Sequence, residues 1–195
     1  MHVSEAARWF ANTTLDGLSS DNAWVETISL GDFQTYDRFI TERTFGVKKR
    51  VFLAPALYRF DIEDYPVVRT PDGLKWIVVA ENLDLDVSAY QQTYLLLRAQ
   101  YVAQIVGLTS ATLASGQAGG AAETVVGSYY ADVEAYSLDT SDLAKQAVYG
   151  VYEITLPHGA VVDEENKIKV DNEYFYIKEI AEEINTVTVK CTKQG

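Results

Sequence analysis

Residues 152–193 constrain the fold more than any other stretch, because they read as short strands separated by polar turns. From Thr186 to Thr192 the residues alternate strictly: Val187, Val189 and Cys191 lie on one face and Thr186, Thr188, Lys190 and Thr192 on the other, as a half-buried strand requires. Tyr174, Phe175, Tyr176 and Ile177 make a second strand of aromatic and β-branched side chains, and Asp171-Asn172 is the turn separating it from Ile168, Lys169 and Val170. Three strands so close in sequence predict an antiparallel meander.

The same grammar recurs at an offset of one hundred residues. Val51-Phe52 falls on Val151-Tyr152, Ile62-Glu63-Asp64 on Val162-Asp163-Glu164, Val68-Arg69 on Ile168-Lys169, and Trp76-Ile77 on Tyr176-Ile177. Upstream, Asp32 and Tyr36 fall on Asp132 and Tyr136; downstream the register slips, so residues 93–98 match 186–190 through a shorter connection. Exact identities are few, and any two meanders share some turn-strand-turn grammar. The expectation is an internal duplication with Trp76 and Tyr176 at equivalent core positions.

Along the chain, a capping Ser4 followed by Glu5, Ala6, Ala7 and Arg8 predicts one or two turns of helix, broken over residues 12–22. Residues 24–30 alternate as a strand, and residues 33–45 read as a long strand or a hairpin ending at Gly46. Lys48-Lys49-Arg50, the only compact basic run, reads as the charged end of the strand at 51–54. Tyr65-Pro66 and Pro71-Asp72-Gly73 bracket a strand at 67–69, and residues 74–80 form a nearly continuous apolar one. Tyr90, Tyr94, Leu97 and Tyr101 also share a helical stripe, but the repeat favours a strand at 93–99. Residues 108–122, LTSATLASGQAGGAA, carry almost no large side chains and read as a flexible linker or extended loop.

The fold class expected is therefore mainly β: two tandem small antiparallel β-barrel or sandwich units with a short N-terminal helix. The expected segments are a helix and arm at 1–22, a first β unit at 23–107, the linker at 108–122 and a second β unit at 123–195.

Chemistry is sparse. The only histidines are His2 and His158, the latter in the turn Pro157-His158-Gly159, so neither a two-histidine metal site nor a Ser-His-Asp arrangement is supported. Carboxylates cluster at 61–64, 84–86 and 163–165, yet no calcium-loop pattern is present. The glycines at 116–120 lack the Gly-Lys-Ser/Thr of a phosphate-binding loop. Cys191 lies on the apolar face of its strand and reads as a small core residue. No catalytic residue, cofactor or metal is expected. The thirteen Tyr and three Trp leave a glycan-stacking face as the alternative, in a monomeric β-sandwich that binds or hydrolyses glycans. A formal charge of −12 argues against a broad basic face for nucleic acid. No apolar run approaches a membrane span, and the opening MHVSEAARWF lacks the order of a signal peptide, so no membrane partner is expected.

The run of an apolar strand ending in Leu-Pro-x-Gly, then Ile-Lys-Val, a turn, Glu-Tyr-Phe-Tyr-Ile-Lys-Glu-Ile and Val-Thr-Val-Lys-Cys resembles the head-closure, or head-tail connector, proteins of tailed bacteriophages. The resemblance covers 151–193 best and 51–99 more loosely; two such units in one chain depart from the single unit typical of the family. It implies a non-enzymatic virion neck protein, assembled in the host cytoplasm as a homo-oligomeric ring between a portal or adaptor protein and the tail proteins. Double-stranded DNA would pass through that ring without sequence readout. On that reading Asp61, Glu63, Asp64, Asp163, Glu164 and Glu165 are candidates for an acidic channel wall, and Ser115, Gly116, Gln117, Gly119 and Gly120 for an interaction loop.

Overall fold

The computed structural model describes residues 13–35, 48–81, 91–112, 118–135 and 150–193. Among them twelve strands follow in chain order: β1 Thr13–Leu18, β2 Trp24–Thr35, β3 Lys49–Pro55, β4 Val67–Arg69, β5 Lys75–Glu81, β6 Gln91–Arg98, β7 Tyr101–Thr112, β8 Ala118–Ala135, β9 Val151–Pro157, β10 Lys167–Val170, β11 Glu173–Glu182 and β12 Thr186–Lys193. They close into two six-stranded antiparallel barrels, so the choice between barrel and sandwich falls to barrel. The first runs β1-β2-β3-β6-β5-β4 and back to β1, and the second β7-β8-β9-β12-β11-β10 and back to β7. Every strand of the first therefore has a counterpart six elements later with the same neighbours, which is the pattern expected of a duplicated unit. Closure also removes the unpaired edges an open meander would leave.

Each barrel is filled by the inward-facing residues of its own strands. The first core holds Leu15, Phe52, Val68, Trp76, Val78, Tyr94 and Leu96; the second holds Ala103, Ile105, Ile154, Leu156, Ile168, Phe175, Val189 and Cys191. Because β3 and β4 are not neighbours, the chain between them passes through a 3-10 turn at Ala56–Tyr58 and tucks Phe60 and Ile62 into the core. Tyr94 holds that plug: its ring stacks on Phe60 at 4.1 Å, its hydroxyl donates to the Phe60 carbonyl at 2.7 Å and it accepts the Phe60 N–H at 2.9 Å. In the second barrel the β9 to β10 connection does the same with Ala160 and Val162, and the Val161 N–H donates to the Tyr129 hydroxyl at 3.2 Å.

Several expectations need correction. The N-terminal helix at 4–10 lies outside the described residues, but Thr13 to Leu18, expected within the broken arm, is strand β1 of the first barrel. Of the stretch 108–122, expected to be a linker or extended loop, residues 108–112 and 118–122 are in strands: Leu108 pairs with Glu123, Thr109 with Ala122 and Ser110 with Ala121 in the β7–β8 hairpin, residues 113–117 lie outside the described residues, and the main division between units falls between Ala99 and Gln100. Small side chains gave that hairpin the composition of a loop, although glycine and alanine still donate and accept ladder hydrogen bonds. At 91–98 the strand reading holds. There Thr93 to Leu97 are buried at five successive positions, which blurs the two-residue alternation.

Trp76 and Tyr176 are on counterpart strands but not at equivalent positions. Trp76 pairs with Val68 across β4, and Phe175, not Tyr176, pairs with Ile168 across β10. Trp76 and Phe175 are each 3% exposed, whereas Tyr176 is 37% exposed. The cause is turn length. Pro71, Asp72 and Gly73 separate Thr70 from Leu74, whose carbonyl accepts the Thr70 N–H at 3.0 Å, while only Asp171 and Asn172 separate the paired Val170 and Glu173. One extra residue shifts the count by one and turns the side chain to the other face. The glycine is what the longer turn needs, since Gly73 has a φ of 83°.

Candidate functional site

The longer β4–β5 turn builds one wall of an open cleft of about 590 Å³ at the end of the first barrel. Asp72 Oδ1 accepts the Thr70 hydroxyl at 2.5 Å and the Leu74 N–H at 3.3 Å, so this carboxylate is committed to shaping the turn. The Thr70 hydroxyl oxygen in turn accepts the Trp76 indole N–H at 3.2 Å. With its polar edge satisfied, the indole offers its ring, and Phe33 meets it edge-on at 5.1 Å and 70°. Arg50, near the start of β3, and Arg98, the last residue of β6, complete the lining of the cleft, and Arg50 Nη1 donates to the Lys49 carbonyl at 3.2 Å. Their strands pair side by side, Arg50 opposite Leu96, which brings the two cations to one rim. Among the described residues, no carboxylate forms an ion pair with Arg98.

The carboxylates expected to line a channel are placed by local turns. Asp61, Glu63 and Asp64 are exposed in the connection from β3 to β4, where Asp61 Oδ1 accepts the Glu63 N–H at 2.9 Å. Asp163, Glu164 and Glu165 are exposed in the counterpart connection from β9 to β10, where the Asp163 N–H donates to Asn166 Oδ1 at 3.0 Å. Each trio thus occupies the same element of its own barrel. Of the candidate interaction loop, Ser115, Gly116 and Gln117 lie outside the described residues, and Gly119 and Gly120 belong to β8.

The chain matches no family model and no curated protein sequence.

A second surface stands out on the second barrel. β7 and β8 pair from Tyr101 opposite Ala131 to Thr112 opposite Ala118, but β10 covers β7 only from Ala103 to Val106 and β9 covers β8 only from Asp132 to Ala135. Among the described residues the remainder is a two-stranded ribbon, and it exposes Leu108 by 56%, Val125 by 51% and Val126 by 61%. Its base is pinned by Glu123, which accepts from Lys167 Nζ at 3.2 Å and the Tyr174 hydroxyl at 3.1 Å; those two hydrogen bonds hold the Glu123 carboxyl below its ordinary range.

Elsewhere the chemistry is quiet. Burial pushes the Cys191 thiol up to about 12, so it stays protonated as a core residue. Among the described residues no group of three His, Cys, Asp or Glu is placed to hold a metal ion, and no helix is long and apolar enough to cross a membrane. Sequence reasoning missed the cleft, because Arg50 read as a strand end and Arg98 as one residue of the strand expected at 93–99. The available signal was the basic run beside the repeat, and it gains meaning only when β3 and β6 are known to be neighbours.

Proposed function

We propose that this chain is a structural protein of a tailed-bacteriophage neck. It acts by assembling into a homo-oligomeric ring between portal or adaptor and tail, and it catalyses no reaction. The observation that carries this reading is the β7–β8 ribbon, which leaves its barrel with Leu108, Val125 and Val126 in solvent. A two-stranded ribbon is marginal by itself in water, and exposed apolar side chains on such an arm favour a neighbouring copy as its cover. The resemblance of 151–193 to head-closure proteins supplies the biological setting. On this reading the two acidic connections face the DNA, where like charge keeps a passing duplex from adhering.

The test is the mass of the purified protein in solution, followed by electron microscopy of the assembled particle. The wild-type chain forms a closed ring, while Leu108→Lys and Val126→Lys give folded monomers. In a particle map Asp61, Glu63, Asp64, Asp163, Glu164 and Glu165 line the bore. A wild-type chain that stays monomeric at high concentration and is retained on oligosaccharide resin would replace this reading with glycan binding.

A further inference from the structure

We infer that Glu123 is a positioning residue: it bends the β7–β8 ribbon over its own barrel and aims the ribbon's apolar side chains at a neighbouring copy, with a hold that ionic strength weakens. The link to assembly rests on the ring reading above. The brace itself rests on strand pairing.

The sheet order of the second barrel puts β7 and β10 between β8 and β11. Glu123 is level with Leu108, beyond the last β10 pair at Val106 and Lys167, whereas Tyr174 is level with Lys169 further down the wall. In a flat continuation of that wall, Glu123 and Tyr174 would stand three strand spacings apart, about 14 Å, with several residues of length to cover besides. Yet Glu123 Oε2 accepts the Tyr174 hydroxyl at 3.1 Å, while Oε1 accepts from Lys167 Nζ at 3.2 Å. The ribbon has to bend to bring them together. The ladder supplies the bend, because it shifts between Ile105 and Val106 and leaves Val126 as an extra residue. Beside it stands Gly107, where a Cβ would meet Val126 Cγ1 at 3.3 Å and Asn166 Nδ2 at 3.6 Å. Lys167 is fixed in turn, its Nζ lying 5.5 Å from the centroid of the Tyr176 ring and 6.0 Å from that of Tyr174.

The first barrel shows that the brace goes with the ribbon. There Leu18, the last residue of β1, pairs with both Trp24 and Val67, so hairpin and wall end together in a turn where the Ser19 N–H donates to the Ala23 carbonyl at 2.9 Å. Val67 holds the place of Lys167, and Ile77, opposite Val67, holds the place of Tyr176, opposite Lys167. Both are buried. With no arm to hold, those two places are apolar.

Exposure decides what the brace is for. A clasp that stored the arm would hide its apolar side chains, but in the braced ribbon Leu108 and Val125 are each more than half exposed. The braced state is therefore the one that presents them. Fixing a two-stranded arm in that position lowers the ordering cost of contact with a neighbour. Because the carboxylate and the ammonium meet at the surface, dissolved salt screens them.

The experiment is hydrogen–deuterium exchange on the full chain carrying Val126→Lys, so that no neighbour covers the ribbon, at about 50 mM and about 1 M salt. Adding Glu123→Gln speeds exchange at residues 108–112 and 118–125 about threefold at low salt, with the barrel strands and the melting temperature unchanged. High salt brings the parent to the same rate and leaves the Gln variant where it was. Glu123→Lys combined with Lys167→Glu restores slow exchange, which a general loss of stability would not. Without Val126→Lys, Glu123→Gln weakens ring assembly about threefold, read from mass against concentration. Equal ribbon exchange with Glu and with Gln, or acceleration spread evenly over the barrel strands, overturns the brace. Tighter assembly of the Gln variant overturns the aim. If the wild-type chain is monomeric, the ring reading fails, and the exchange results decide the brace without it.

Discussion

At the end of the first barrel Arg98 borders an open cleft, whereas at the same place in the second Lys193 pairs with Glu173 and Tyr152 packs edge-on against Phe175. The walls of the two barrels agree closely. They share a strand order, a ladder irregularity at the same point of the fifth and sixth strands, and a connection that plugs the core between the third and fourth. The contrast has a physical basis. Walls must satisfy every backbone donor and acceptor around a closed ring, so little in them can differ without opening it. Residues at a barrel end answer only to local turn geometry and to solvent.

The sharpest way to break the comparison is to truncate the aromatic residues that the strand pairing aligns. Trp76→Ala and Phe175→Ala each cost about 3–5 kcal/mol, while Tyr176→Ala, on the exposed face, costs under about 1 kcal/mol. Chemical denaturation measures all three. If Tyr176→Ala matched Trp76→Ala and Phe175→Ala were mild, the one-residue shift would be wrong.

A second comparison lies where Gly31 opposite Thr13 corresponds to Ala131 opposite Tyr101. A Cβ at Gly31 would run into the Leu53 carbonyl oxygen and the Phe52 ring, but Ala131 already carries one in a fully buried place. Gly31→Ala therefore destabilises by about 1–3 kcal/mol through overpacking. Ala131→Gly costs only about 0.5–1 kcal/mol, mainly from unfolded-state freedom. Equal penalties in thermal or urea melts would show that the large Phe52 side chain has room to move.

The smallest effect concerns acid. Asp16 pairs opposite Arg69 in the first barrel, and Gln104 stands opposite Lys169 in the second. Asp16 accepts the Thr27 N–H at 3.0 Å, fixing a β-branched residue at a φ of 51°, and receives Arg69 Nη2 at 2.7 Å. The Thr27 bond first, and Arg69 second, hold the Asp16 carboxyl below its ordinary value of 3.8. A carboxyl lowered by folding adds stability above that ordinary value, and the contribution is lost as pH falls through the lower folded value. Because the pair is partly open to solvent, the contribution is about 1 kcal/mol or less. Asp16→Asn should flatten this acid-range slope without altering stability trends between pH 5 and 8. Gln104→Asn should leave the slope unchanged. An unaltered slope in Asp16→Asn would move the acid sensitivity elsewhere.

Local chemistry made much of this protein legible in the sequence. The alternation at 186–192, the turns at Pro71-Asp72-Gly73 and Asp171-Asn172, and the recurrence of the meander all depend on neighbours a few residues apart, and each was found in place. Tertiary pairing decided the rest. Barrel closure needs β1 to meet β4 and β7 to meet β10, and β1 could not be recognised from residues that read as a break. The far part of the β7–β8 hairpin, where Thr109 pairs with Ala122 and Thr112 with Ala118, is built from side chains too small to mark a strand, so only its ladder reveals it. The alignment of Trp76 with Phe175 hung on a single turn residue, which a fixed sequence offset cannot register. The cleft required β3 and β6 side by side and β4–β5 turned over their ends, because a site made of long-range neighbours exists only after the chain has closed.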